Sequence, residues 1–161
     1  MAKTTPIPAE FEPEFVQGLT SIFEDRIVFN QVMGLKVTGL APDRVTGRIV
    51  MKHELVGHFS HNRVHGGVIS ATLDAMGGLA VMAAIGARHM DEPAPQRLQR
   101  FSKLGTIDLR IDYLRPGVSS ARFHTTATLV RLGSRVGNTT MQFTADDGTL
   151  IAMGTAAYIV S

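Results

Sequence analysis

The segment NRVHGGVISATLD, Asn62 to Asp74, holds residues whose types and spacing could do chemistry. Two adjacent glycines, Gly66 and Gly67, precede an apolar run and then a single carboxylate, Asp74. A glycine pair weakens a helix interior but suits a helix start. At such a start the first N–H groups have no acceptor within the helix and carry partial positive charge. With no side chain at 66 or 67, a ligand oxygen could approach that backbone, and a developing oxyanion would be stabilised there. Close packing or an unusual backbone angle would account for the same glycines. Asp74 shares a helical face with Gly67, Ser70 and Gly78, away from the face of Ile69, Leu73 and Met76. Its neighbours are Ala, Ser, Gly and Val rather than Lys and Glu, which points to a cleft more than to a solvated face. On these residues alone, a functional and a structural carboxylate remain equally open.

The elements around this segment follow from periodicity. Val64 to about Ala87 reads as one long helix, because Ile69, Leu73, Met76, Ala80 and Ala83 recur in alternating steps of four and three. Phe15, Leu19, Ile22 and Phe23 predict an N-terminal helix that Arg26 to Val32 continue. Val45, Gly47, Ile49 and Met51 alternate with Arg44, Thr46, Arg48 and Val50, so a strand follows the Pro42-Asp43 turn and pairs with Leu35–Leu40. HELVGHFSHNR reads as a loop, and RHMDEPAPQRLQRFSK as a polar, proline-containing loop. In TIDLRIDYL, Thr106, Asp108, Arg110 and Asp112 alternate with Ile107, Leu109, Ile111 and Tyr113. Three further β-branched runs, split by Gly-Ser and Asp-Asp-Gly turns, form a meander. One long helix and about six strands predict an α+β domain over residues 11–161, with the helix covering one face of an antiparallel sheet. Residues 1–10, rich in Pro and Thr, are expected to be disordered.

Composition narrows the function classes. The chain has 161 residues, enough for one hydrophobic core. It has no cysteine, which excludes disulfide and thiolate chemistry and suits a reducing cytoplasm. The first residues show no apolar signal segment. The apolar run Val68–Ala87 is interrupted by Asp74 and glycines, so a buried helix is expected rather than a membrane span. A net charge of +2 does not call for nucleic acid but leaves room for an anionic small ligand. His53, His58, His61 and His65 crowd one region, yet no Cys and no H-E-x-x-H spacing accompanies them, and no metal site is expected.

The pattern H-G-G, six residues, then D, followed by TIDLRIDYLRPG, resembles the hotdog-fold acyl-CoA thioesterases, in particular the phenylacetate-pathway type. The resemblance runs from about Leu35 to Val160. It implies a long helix wrapped by a curved antiparallel sheet, and hydrolysis of an acyl-CoA to free acid and coenzyme A. By the same resemblance, Gly66 supplies the oxyanion N–H, Asp74 is nucleophile or general base, and Thr106 helps to place the attacking water. His65 orients the turn, and with Gly67 it borders the substrate. Relatives often carry Asn or Gln six positions before the histidine. Phe59 stands there, and the nearby loop residues Asn62 and His61 are the substitutes available. Arg97, Arg100, Lys103, Arg115 and Arg135 are the expected places for the coenzyme A phosphates. A thiol leaves a tetrahedral intermediate readily, so one carboxylate and one N–H suffice, with no metal and no cofactor.

Two other functions compete. A hotdog dehydratase would turn over a hydroxyacyl or enoyl thioester without releasing thiol, but the histidine of its motif has no counterpart here. A non-catalytic acyl-CoA-binding module would bind without turnover, and it would have no need of Asp74. Geometry adds an expectation about assembly. Gly66 and Asp74 are eight residues apart, roughly 12 Å along a helix. Both must come within about 3 Å of the reacting group. Two antiparallel helices related by a two-fold could achieve this, and the resemblance likewise implies a homodimer, with dimers pairing into homotetramers.

Overall fold

The computed structural model describes residues 10–118 and 120–161. Except for Glu10, the N-terminal segment expected to be disordered lies outside the described residues. Helix α1 (Pro13–Ser21) starts on a proline, whose missing N–H costs nothing in a first turn, and buries Phe15 and Leu19. A π-helical turn, Ile22–Arg26, then directs both Ile22 and Phe23 into the core. The expected continuous helix is broken at Ile27, whose backbone is extended (φ −81°, ψ 98°). The chain resumes as α2 (Val28–Met33) and stops at Gly34, whose φ of 72° is a left-handed conformation that glycine adopts without strain.

Strands β1 (Lys36–Leu40) and β2 (Arg44–Val50) form the expected hairpin, with Val45, Gly47 and Ile49 turned inward. The first expected loop contains a small two-stranded ribbon, β3 (Val56–His58) and β4 (Arg63–Val64). The long helix α3 spans Gly66–Arg88. The second expected loop is instead helical: α4 (Ala94–Gln99) continues into a 3-10 turn, Arg100–Lys103. Its prolines, which read as loop residues, occupy the helix start, where proline is favoured. Strands β5 (Gly105–Tyr113), β6 (Arg122–Leu132), β7 (Val136–Ala145) and β8 (Leu150–Ile159) complete the chain.

The main sheet is antiparallel, in the order β1-β2-β6-β7-β8-β5. The expected meander is β6-β7-β8, and β5 closes the far edge against β8. α3 lies across β2, β5, β6, β7 and β8. Ile69, Leu73, Met76, Ala80 and Ala83 are buried, as their spacing predicts. Each of the larger three contributes roughly 2 kcal/mol of hydrophobic stabilisation. Beyond Met76 the helix is buried on all sides up to Gly86. Although α3 is long and apolar enough to cross a membrane, 72% of its apolar window is buried inside the fold, where it forms the core. A helix wrapped by a curved antiparallel sheet is the hotdog arrangement.

Candidate active site

The start of α3 is capped by His65. Its extended backbone (φ −66°, ψ 137°) turns the chain into the helix, and its Nδ1 accepts the Gly67 N–H at 2.8 Å. A ring that accepts at Nδ1 carries its proton on Nε2. The Ser70 hydroxyl donates to the Gly67 carbonyl at 3.1 Å, and the Tyr113 hydroxyl donates to the Gly66 carbonyl at 2.9 Å. The cap thus occupies the Gly67 N–H. Gly66, as the first helical residue, has no carbonyl one turn back within the helix to accept its own N–H. It borders a cavity of about 420 Å³ shared with Arg63, Ile69, Tyr113 and Arg115.

Eight residues on, Asp74 is partly buried. The Thr106 hydroxyl donates to its Oδ1 at 2.9 Å. The Tyr158 hydroxyl donates to its main-chain carbonyl at 2.8 Å and lies 3.3 Å from the same Oδ1. Among the described residues, Oδ2 receives no hydrogen bond from either hydroxyl. Burial first, and then the neighbouring Asp74 carboxylate, push the Tyr158 phenol far above the usual tyrosine range. It therefore stays a proton donor.

Thr106 reaches Asp74 through a β-bulge that simple alternation does not reveal. Alternation puts Thr106 on the face opposite Leu109, Ile111 and Tyr113. The β5–β8 register shifts between Thr106 and Asp108, leaving Ile107 as the extra residue, 57% exposed. One extra residue inverts the faces on either side of it. Thr106 then joins Leu109, Ile111 and Tyr113 on the side facing α3. β5 runs antiparallel to α3, with Tyr113 at Gly66 and Thr106 at Asp74.

The other sequence-derived residues are dispersed. Asn62 (φ 46°) lines a different cavity with Met51, Lys52, His53 and Ser120, one that neither Gly66 nor Asp74 borders. Arg97 is corrected outright as a phosphate ligand, because it is 2% exposed and committed elsewhere. Its guanidinium pairs with Glu12, lies 4.5 Å from the centre of the Phe15 ring, and donates to the Gly86 carbonyl at 3.4 Å. It ties α1 and α4 to the end of α3, and burial lowers its pKa. Arg100 pairs with Glu92, its Nε donating to Oε2 at 3.1 Å. Arg115 borders the Gly66 cavity, with Nη1 donating to the Leu150 carbonyl at 3.1 Å. Lys103 and Arg135 are exposed, on the 3-10 turn and at the β6–β7 turn. Among the described residues no group of three or more His, Cys, Asp or Glu side chains could hold a metal ion.

Sequence reading missed the two tyrosines as site residues. The chain has only 2, and each sends its hydroxyl to α3, one beside Gly66 and the other beside Asp74. Their scarcity and the second glycine pair, Gly77-Gly78, were the available signals.

Comparison with known proteins gives the family and the fold. Residues 61–152, which include α3, Asp74 and Thr106, match the Thioesterase superfamily. Two curated relatives, the medium/long-chain acyl-CoA thioesterases YigI of Salmonella typhimurium and of Escherichia coli, are each 33% identical over 141 residues. These alignments cover 86% of this chain and 89% of each relative. A crystal structure from Shewanella oneidensis, of a protein related to the thioesterase superfamily, superposes with a TM-score of 0.84 at 36% identity, covering 94% of this chain and 100% of that one. By sequence and by superposition, this chain belongs to the thioesterase superfamily of hotdog-fold thioester hydrolases.

Proposed function

We propose that this protein hydrolyses acyl-CoA thioesters to the free acid and coenzyme A, with Asp74 as the reacting carboxylate. The observation that carries the proposal is the arrangement at Asp74, where hydroxyl donors occupy Oδ1 and leave Oδ2 for chemistry. Asp74 either attacks the thioester carbon, giving an anhydride that water then opens, or takes a proton from the attacking water. In both routes the carbonyl oxygen gains negative charge, and the Gly66 N–H is the proposed donor to it. The C–S bond breaks, the thiolate takes up a proton, and one water is consumed. Neither route calls on a metal or cofactor.

Arg115 and Arg63, which border the Gly66 cavity, are proposed to attract the coenzyme A phosphates, with Lys103, Arg135 and Arg100 as further cations. Asn62 remains a proposed contributor from the loop before the helix. The assembly is proposed to be a homodimer with two sites, each combining Gly66 of one chain with Asp74 of the other, and dimers are proposed to pair further. Support for an interface on the β5 side comes from exposed apolar side chains there: Ile107, Tyr113, Leu114 and, on β8, Met153. A reducing, cytoplasmic setting is proposed from the cysteine-free sequence.

The names of the YigI relatives make medium- and long-chain acyl groups the expected substrates. Thiol release measured across acetyl-, octanoyl-, palmitoyl- and aryl-CoA tests this. Each added buried methylene contributes about 0.8 kcal/mol, so kcat/KM for octanoyl-CoA should exceed that for acetyl-CoA by more than about tenfold. An acetyl or aryl optimum would refute the chain-length assignment. Absence of thiol release from every substrate would refute hydrolysis itself.

A further inference from the structure

Tyr158 reaches α3 from the last strand, and one buried hydroxyl contacts both the backbone and the carboxylate of a single residue. It donates to the Asp74 carbonyl at 2.8 Å and lies 3.3 Å from Oδ1. The Gly78 backbone and the Thr139 side chain also act on the phenol, opposing the rise in its pKa. The Asp74 carbonyl and the Gly78 N–H are partners one turn apart in an α-helix, so the phenol stands at one rung of the helical ladder. α3 is notched to receive it. A Cβ on Gly77 would collide with the phenolic oxygen and come within 2.9 Å of Thr139 Oγ1. A Cβ on Gly78 would make only ordinary contact with the ring, at 3.6 Å. Gly77 is therefore the residue that admits the hydroxyl.

Strand register brings a second donor to the same place. Thr106 pairs directly with Tyr158 across β5 and β8, on the near side of the bulge. Neighbouring strands thus deliver two hydroxyls to one carboxylate oxygen. Tyr158 is 1% exposed, so it has no surface to offer a substrate and acts through Asp74. Its raised pKa, which follows from burial and from the Asp74 charge, keeps the donor proton in place.

We infer that Tyr158 is a positioning residue. Together with Thr106, and through the notch at Gly77, it fixes the Asp74 side chain so that Oδ2 is the reactive oxygen. The inference rests on the reading of Asp74 as the reacting carboxylate and adds the device that orients it. A positioned group loses rate steeply when its geometry relaxes, whereas substrate affinity depends little on it.

Tyr158→Phe deletes one oxygen and keeps the ring. Per folded molecule, kcat should fall by roughly 10- to 100-fold. KM, and the Kd of a non-hydrolysable acyl-CoA thioether, should stay within about twofold. Gly77→Ala provides a second variant, which leaves the phenol in the sequence but crowds its hydroxyl out of the notch. It should lower kcat in the same way while leaving the thioether Kd within about twofold; because its Cβ also comes within 2.9 Å of Thr139 Oγ1 and 3.0 Å of the ring carbon Cζ, it is compared with Tyr158→Phe as a single variant. Two results would each overturn the positioning role: a Tyr158→Phe kcat within about twofold of wild type, or a fall in thioether affinity equal to the fall in kcat. An active Asp74→Asn enzyme would instead refute the underlying reading of Asp74, so the two failures can be told apart.

Discussion

Asp74→Asn is expected to lower acyl-CoA turnover by about 1000-fold or more while leaving the fold and substrate affinity intact. The amide matches the carboxylate in shape, and its oxygen can still accept the Thr106 hydroxyl that now bonds Oδ1 at 2.9 Å. The Tyr158 hydroxyl keeps its bond to the residue 74 carbonyl, because that acceptor belongs to the main chain. What disappears is the negative charge and the basic lone pair on the open oxygen. An amide can neither form the anhydride nor take a proton from water at neutral pH. Steady-state thiol release and a thermal melt on the same preparation separate chemistry from folding. A folded variant that keeps more than about a tenth of wild-type turnover would show that Asp74 is not the reacting group.

Gly66→Pro should lower kcat by roughly 100- to 1000-fold, the scale of losing one oxyanion donor, with a smaller change in KM. The local structure makes this variant a clean probe. Gly66 is the first residue of α3, the position where proline is best tolerated in a helix. The residue before a proline must be extended, and His65 already has φ −66° and ψ 137°. The His65 cap on the Gly67 N–H remains available. The substitution thus removes the proposed donor N–H and sets a ring at the cavity wall, while the helix start keeps its backbone conformation. Turnover close to wild type in a folded Gly66→Pro enzyme would place the oxyanion elsewhere.

The parts of this site legible in the sequence are those set by local periodicity. The apolar steps from Ile69 to Ala83 define α3, the Gly66-Gly67 pair marks its start, and the position of Asp74 off the greasy face follows from the same helix. Features set by long-range pairing were not legible. The bulge at Ile107 is defined only against β8, so the alternation in TIDLRIDYL puts Thr106 on the wrong side. Tyr158 lies 84 residues from Asp74 and meets it only because β8 is paired next to β5. Nothing local to TAAYIVS signals that contact. Arg97 illustrates the converse. It sits in a polar stretch that reads as an exposed loop, but prolines at a helix start fold that stretch into α4 and carry the guanidinium onto Phe15 and Glu12. A cation counted as free for phosphate is thereby consumed in packing.

Each site is proposed to join the Gly66 N–H of one chain to the Asp74 carboxylate of another. Within a single helix these groups are eight residues, or roughly 12 Å, apart along the axis. The most direct measurement mixes two inactive proteins, Asp74→Asn and Gly66→Pro, by unfolding and refolding them together and then assaying thiol release. A heterodimer of the two holds one site with both defects and one site with neither. Activity should therefore reappear in the mixture, in proportion to the heterodimer present, and should be absent from each variant refolded alone. If mass spectrometry demonstrates mixed dimers and thiol release stays at the level of the separate variants, or if the active wild-type enzyme is a monomer, the shared site is wrong.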